Sequence, residues 1–295
     1  MPRIQSILCP IDFSDFAVNA YQYAQSLACH YKAKLFLQHV LYPLHGYFAA
    51  FGSNTKDYEE VCQQLRTDAG RKLRQFAKDY ARCDIRPECV VQDGFATDLI
   101  LALAEAQAVG LIVMGTHGLR GVDRLMLGSV TEKVLRRARC PVLAVRKPAH
   151  GPISSTHDVG PIHLRKILLC MDFSDPAQRA SDFALSMAKE YGAELTLAHV
   201  LEQFPSSTDL ECAIAEVAPQ LEQAVPAHES GNCIIKSVVR VGKPYQQIIQ
   251  LALETLSDLV IMGVRGRGAL DIAVFGSTTY RVLQLGPCPV LAVHI

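Results

Sequence analysis

Neither sign of charge is in excess in this chain: 29 Lys and Arg balance 29 Asp and Glu. No overall field therefore gathers nucleic acid or an anionic membrane surface. Long apolar runs are missing too. The longest apolar-rich region, Leu99 to Met114, is broken by Glu105, Gln107 and Gly110, which argues against a membrane span. No basic-then-apolar leader is seen at the N-terminus, so no secretory signal is expected. Ten cysteines are present, but there is no Cys-x-x-Cys and no compact Cys/His cluster with zinc spacing. Cys9, Cys140, Cys170 and Cys288 sit in or beside strand-like runs. The expectation is reduced, mostly buried thiols in a cytoplasmic protein. Two phosphate-binding signatures are also absent, Gly-x-x-x-x-Gly-Lys-Ser/Thr and Gly-x-Gly-x-x-Gly.

What is present is one unit written twice. At 295 residues and 49% apolar, the chain is long enough for two cores. Ile4 to Asp12 reads as a strand running into Pro10-Ile11-Asp12-Phe13-Ser14. Leu164 to Asp172 repeats it 160 residues later, running into Cys170-Met171-Asp172-Phe173-Ser174. A helix follows each, with Ser14 or Ser174 placed to cap it. The next strands, Ala33 to Leu41 and Ala193 to Leu201, both contain His-Val (His39-Val40, His199-Val200). Tyr58, Val61, Leu65, Ala69, Leu73, Phe76 and Tyr80 then recur at helical spacing. A shorter helix in the second copy carries Leu210, Ala213, Ile214, Val217, Leu221 and Val225. From there the offset is 148, so the first copy holds 12 extra residues. Leu111 to Met114 pairs with Leu259 to Met262, and Cys140 to Val145 with Cys288 to Val293.

Strands alternating with helices imply crossover connections and a mainly parallel sheet. The expected fold class is α/β, with two similar three-layer domains. Each is a five-stranded, mainly parallel open sheet with helices on both faces. The division expected is residues 1–147, a Pro/Gly/Ser-rich linker at 148–163, and residues 164–295. In such sheets ligands sit beyond the carboxyl ends of strands where strand order reverses. Asp12 and Gly115, and Asp172 and Gly263, lie at such ends.

The stretch from Met114 to Thr131 is a strand end, a glycine-rich loop and a helix start. Two residues separate Gly115 from Gly118, and nine separate Gly118 from Gly128-Ser129. Gly263, Gly266, Gly276 and Ser277 repeat that spacing. Helix-start amides and the helix dipole favour an anion, and glycines admit close backbone approach. Ser129 and Glu132 have capping-box spacing. A carboxylate before a helix is also favoured by the dipole with no ligand present. His39 and His199 alternate away from the valines and are expected to be structural. His117 lies inside the loop, but Arg265 at its equivalent excludes an obligatory base. Arg120, Arg124, Arg265 and Arg267 could pair with phosphate oxygens or equally be solvated.

On these residues both halves resemble the universal stress protein family, in tandem. The resemblance implies a Rossmann-like, adenine nucleotide alpha hydrolase-like fold and ATP binding through Gly-x2-Gly-x9-Gly-Ser/Thr. It assigns the first site to Pro10, Ile11, Asp12, Val40, Met114, Gly115, Gly118, Gly128, Ser129, Val130 and Thr131. The second site would be Met171, Asp172, Val200, Met262, Gly263, Gly266, Gly276, Ser277, Thr278 and Thr279. There Cys170 replaces Pro10, Thr278 replaces Val130, and Tyr280 replaces the capping-box Glu132. The ligand implied is ATP, or ADP or AMP, with Mg2+ as an optional companion. The family's closing edge strand pairs across a dimer, which implies an internal pseudo-dimer here and leaves a homodimer open.

The acid–base complement is sparse. Asp123 is the acidic residue between Gly115 and Thr131, with Asp271 its counterpart, whereas phosphoryl transfer calls for a positioned base and metal-binding carboxylates. The leading expectation is a regulatory, stress-response ATP-binding protein acting on an unidentified protein partner. The alternatives are a slow ATPase and a structural pseudo-dimer with one or both sites vestigial.

Overall fold

The computed structural model describes residues 4–42, 55–118, 127–146, 162–202, 207–225, 233–264 and 276–294. The first repeat runs β1 (Ser6–Pro10), α1 (Asp15–Tyr31), β2 (Lys34–Leu41), α2 (Thr55–Asp79) and β3 (Glu88–Asp93). It continues with α3 (Ala96–Ala106), β4 (Leu111–Gly115), α4 (Ser129–Arg137) and β5 (Val142–Val145). The second opens with β6 (Lys166–Cys170), α5 (Asp175–Tyr191), β7 (Glu194–Leu201), α6 (Ser207–Gln223) and β8 (Ile235–Val241). It closes with α7 (Pro244–Thr255), β9 (Leu259–Val264), α8 (Ser277–Leu285) and β10 (Val290–His294). The α/β architecture expected from the alternating pattern is therefore observed.

Local chemistry sets the first helix of each repeat. The Ser14 hydroxyl accepts the Ala17 amide at 3.2 Å and Ser174 accepts that of Ala177 at 3.4 Å. Both satisfy a donor that the helix itself leaves unpaired. The same helices stop in the left-handed conformation, at Lys32 (φ 51°) and Gly192 (φ 62°), as αL caps do.

The sheet order is β3-β2-β1-β4-β5-β10-β9-β6-β7-β8. Within each repeat every pairing is parallel. Strand pleating divides the buried residues between two layers. Ile7, Cys9, Leu111 and Val113 point into the layer under α1 and α2, together with Tyr21, Leu73 and Phe76. Leu8, Ile112 and Met114 point into the opposite layer with Ile100, Val134 and Leu135. The second repeat divides in the same way, Ile167 and Leu169 on one face and Leu168 on the other. Strands buried on both faces read as continuous apolar runs, which is why Leu111 to Met114 shows no alternation.

The repeats join through their closing strands. β5 and β10 pair antiparallel, Leu143 opposite Leu291, so neither is left as an open edge. Arg146 at the end of β5 donates to the Gly286 carbonyl at the end of α8, 2.9 Å away. The equivalent His294 makes the reciprocal contact, its Nε2 lying 2.7 Å from the Leu135 carbonyl in α4. On one face the last turns of α1 and α5 meet, with His30 3.2 Å from Glu190 and stacked on Tyr191 at 4.1 Å. The Ile162 amide donates to Ser26 Oγ at 2.6 Å.

Candidate functional site

The crevice between β1 and β4 is where strand order reverses in the first repeat, and both strands end there. Asp12 follows β1. Its Oδ1 accepts from the Ser14 amide at 3.0 Å and the Ser14 hydroxyl at 2.6 Å. That fixes one carboxylate oxygen at the mouth of α1. Gly118 stands against the other, since a Cβ built on it would lie 2.6 Å from Asp12 Oδ2. The strand-end aspartate and the glycine loop are thus brought together, as their shared rim requires.

The loop glycines have different reasons to be glycine. A Cβ on Gly115 would sit 2.8 Å from Phe16 Cβ and 3.0 Å from that residue's backbone. Gly115 therefore lets the first turn of α1 pack on the end of β4, a purely internal need. Gly128 donates to the Thr116 carbonyl at 2.7 Å and closes the loop onto α4.

The start of α4 departs from expectation. Gly128, not Ser129, is the residue before the helix, and it makes no side-chain cap. Ser129 is already the first helical residue, and exposed. The capping box is absent: Glu132 pairs instead with Arg136 at 2.9 Å, a favoured i,i+4 arrangement. The helix start consequently presents amides that no cap side chain satisfies. Thr131 is buried, and its hydroxyl donates to the Gly115 carbonyl at 2.8 Å, holding the loop's two ends together.

The remaining first-site positions are framework. Ile11 and Met114 have buried side chains, so only their backbones can face a ligand. The Ile11 amide donates to the Gln38 carbonyl at 2.8 Å. Pro10 closes β1 half-buried, Val40 is half-buried, and Val130 is half-buried against the α3–α4 layer. His39 Nδ1 lies 2.7 Å from the Ile11 carbonyl, and its ring packs on Phe13 at 4.6 Å. It braces the turn before Asp12.

His117 is buried, with Nδ1 2.9 Å from Thr116 Oγ1 and its ring 4.9 Å from Phe16. Its Nε2 is buried without a partner among the described residues. Burial first, and then the Arg146 charge, hold its pKa below the ordinary histidine value. Arg120, Arg124 and Asp123 lie outside the described residues.

The second rim repeats the frame. Asp172 Oδ1 accepts from the Ser174 amide at 3.1 Å and hydroxyl at 2.5 Å. His199 Nδ1 lies 2.8 Å from the Met171 carbonyl. A Cβ on Gly263 would collide with the Pro176 backbone and reach 2.5 Å from Ala177 N. Gly276 precedes α8, again with no side-chain cap. Ser277 is exposed, Thr278 half-buried and Thr279 buried, while Met171 and Met262 are buried in the two layers. Val200 and Cys170 pack half-buried on the α7–α8 layer. Asp172 is exposed, whereas Asp12 is half-buried. Gly266, Arg265, Arg267 and Asp271 lie outside the described residues.

A cleft of about 570 Å³ elsewhere in the first repeat is lined by Leu101, Ala104, Val109, Ile112 and Cys140. It contains none of the strand-end residues. Burial pushes the Cys140 thiol up to about 11, so it is inert as a nucleophile.

This pair of rims on a doubled parallel sheet defines a tandem α/β protein with two like strand-end crevices. The universal stress protein family model matches residues 3–146 and 163–294, and the chain belongs to that family. It is 32% identical over 146 residues to Universal stress protein MJ0531 of Methanocaldococcus jannaschii, covering 49% of this chain and 83% of that one. It is 23% identical over 256 residues to Universal stress protein Rv2005c of Mycobacterium tuberculosis, covering 79% and 80%. Among solved structures, a universal stress protein from Archaeoglobus fulgidus superposes over 99% of this chain and 98% of its own. Its TM-score is 0.69 at 22% identity, which speaks for the fold.

Proposed function

We propose that this chain is an adenine-nucleotide-binding regulatory protein, holding ATP at the β1/β4 rim and a second nucleotide at the β6/β9 rim. The observation that carries the reading is the approach of Gly118 to Asp12 beneath an uncapped α4. A carboxylate suited to ribose hydroxyls stands beside a loop and helix start suited to phosphates. Asp12, Pro10, Ile11 and Val40 would face the nucleoside end. Gly118, Gly128, Ser129 and Val130 would face the phosphates, largely through backbone amides. Thr131 and Gly115 hold the loop in shape. The same roles pass to Asp172, Met171, Val200, Gly276, Ser277 and Thr278. Mg2+ would enter with the phosphates.

The charge distribution supports holding nucleotide above turning it over. Asp12 is engaged by Ser14, and His117, kept neutral by burial, has no carboxylate among its described contacts. The bound or empty state of the rim would then alter contact with a protein partner. All ten cysteines are free, which suits a reducing, cytoplasmic setting. Among the described residues no helix is long and apolar enough to cross a membrane.

The test is a stoichiometry. Heat extraction and anion-exchange chromatography of the purified chain, followed by equilibrium dialysis against ATP, should give one to two moles of adenine nucleotide per chain. A chain that is empty as purified, binds none in dialysis and shows no thermal shift with ATP rejects the reading.

A further inference from the structure

Three residues on one face of α1, spaced by four, each meet the end of α2 or the segment after it. Tyr21 donates its hydroxyl to the Ala77 carbonyl at 3.2 Å. Gln25, fully buried, donates to the Tyr80 carbonyl at 2.8 Å and accepts the Arg82 amide at 2.9 Å. The third is Cys29. Residues at i, i+4 and i+8 share a helix face, so the row continues directly onto Cys83.

One contact puts the Cys83 thiol at the helix turn that carries Cys29. Cys83 Sγ lies 3.8 Å from the Gln25 carbonyl, and in an α-helix that carbonyl is the one facing the amide of residue 29. Burial first, with Cys29 among the neighbouring side chains, raises the Cys83 thiol above its ordinary value. Both are free thiols; Cys29 is exposed and Cys83 partly covered. The Gln25 side chain holds Tyr80 and Arg82, just before Cys83, so the position of the Cys83 segment against α1 is set by the fold. The second repeat has no such pair. Lys189 stands where Cys29 does, and the thiol beside it, Cys233, faces that ammonium.

We propose that Cys29 and Cys83 form a redox-responsive dithiol that closes to an intramolecular disulfide when a hydroperoxide is present. Cys29, the more accessible, reacts first. Its thiolate attacks a peroxide oxygen, the O–O bond breaks, and sulfenic acid and water form. The Cys83 thiolate then attacks the Cys29 sulfur, the S–O bond breaks, and hydroxide leaves, taking up a proton as water. In sum, two thiols and one H2O2 give one disulfide and two waters. The closed bridge ties the last turn of α1 to the segment before β3. The next residues of that turn, His30 and Tyr31, are the ones that meet the second repeat.

The full chain is exposed to graded H2O2, quenched by alkylation and digested without reduction. The expected result is a Cys29–Cys83 linked peptide as the first disulfide, a free-thiol count lower by two per chain, and reversal by dithiothreitol. In Cys83→Ser, the same treatment should carry Cys29 on to sulfinic acid. Linkage of any other pair first, oxidation of Cys29 in the unaltered chain without linkage to Cys83, or no thiol loss at excess peroxide would each overturn the assignment.

Discussion

Tyr31 and Tyr191 occupy the same place in the two repeats, 160 residues apart, and they meet, ring centroids 6.4 Å apart and edge to face. Their neighbours His30 and Glu190 are likewise counterparts, and duplication has let them diverge into a pair of opposite type 3.2 Å apart. A single-repeat homodimer would have to place identical residues at both positions.

Removing either partner should therefore cost unequal amounts. Glu190 is 41% exposed, so Glu190→Gln is expected to lose less than about 1 kcal/mol. Tyr191→Ala removes the ring that stacks on His30 and should lose about 2–3 kcal/mol. Urea denaturation of the three proteins checks both figures. A larger loss for the glutamine variant would show that charge, not ring packing, secures the junction.

The glycines offer a sharper comparison. At Gly263 an added Cβ would strike the Pro176 and Ala177 backbone, while at Gly276 the nearest atom is 3.9 Å away. Gly263→Ala should forfeit upwards of about 2 kcal/mol, as overpacking against backbone does. Gly276→Ala should change stability by about 1 kcal/mol or less. Thermal melts read the difference directly.

Gly118→Val tests the first rim. Its side chain would displace the Asp12 carboxylate from beside the loop, so binding there should fall at least about 100-fold, equal to roughly 2.7 kcal/mol. The fold should persist, because the neighbouring atom is a side-chain oxygen and not backbone. Equilibrium dialysis should then find one mole of ATP fewer per chain than for the unaltered protein. Unchanged stoichiometry and affinity would remove Gly118 from the site.

Acid should loosen the molecule at its two buried histidines. Burial lowers the pKa of both His117 and His294. With the folded-state value below the unfolded value of about 6.5, the unfolded chain takes up protons first. Their contribution is intact above pH 6.5 and declines as pH falls through the folded-state values. The melting temperature should drop as pH falls below about 6.5, and the drop should be smaller in His294→Gln.

Much of this architecture could be read from the chain because it depends on neighbours in sequence. The repeat offset, the strand runs and the Ser14 and Ser174 caps are local features, and they stand where the pattern puts them. Ser129 misled because Ser-x-x-Glu spacing is compatible with a helix beginning one residue earlier, once the Gly128 carbonyl takes the Glu132 amide. The internal reason for Gly115 was hidden, since Phe16 is nearly a hundred residues away and reaches it only after β1 and β4 pair. The Arg146 and His294 contacts were hidden for the same reason. Each joins one repeat to a helix end in the other, and no spacing along the chain encodes that.

The antiparallel meeting of β5 and β10 has a directional outcome. All strands of the first repeat point one way and all those of the second point the other. The Asp12 rim and the Asp172 rim therefore open toward opposite poles of one continuous sheet. A rigid body seated on one pole leaves the other exposed, and four strands, β4, β5, β10 and β9, separate the two rims within the sheet.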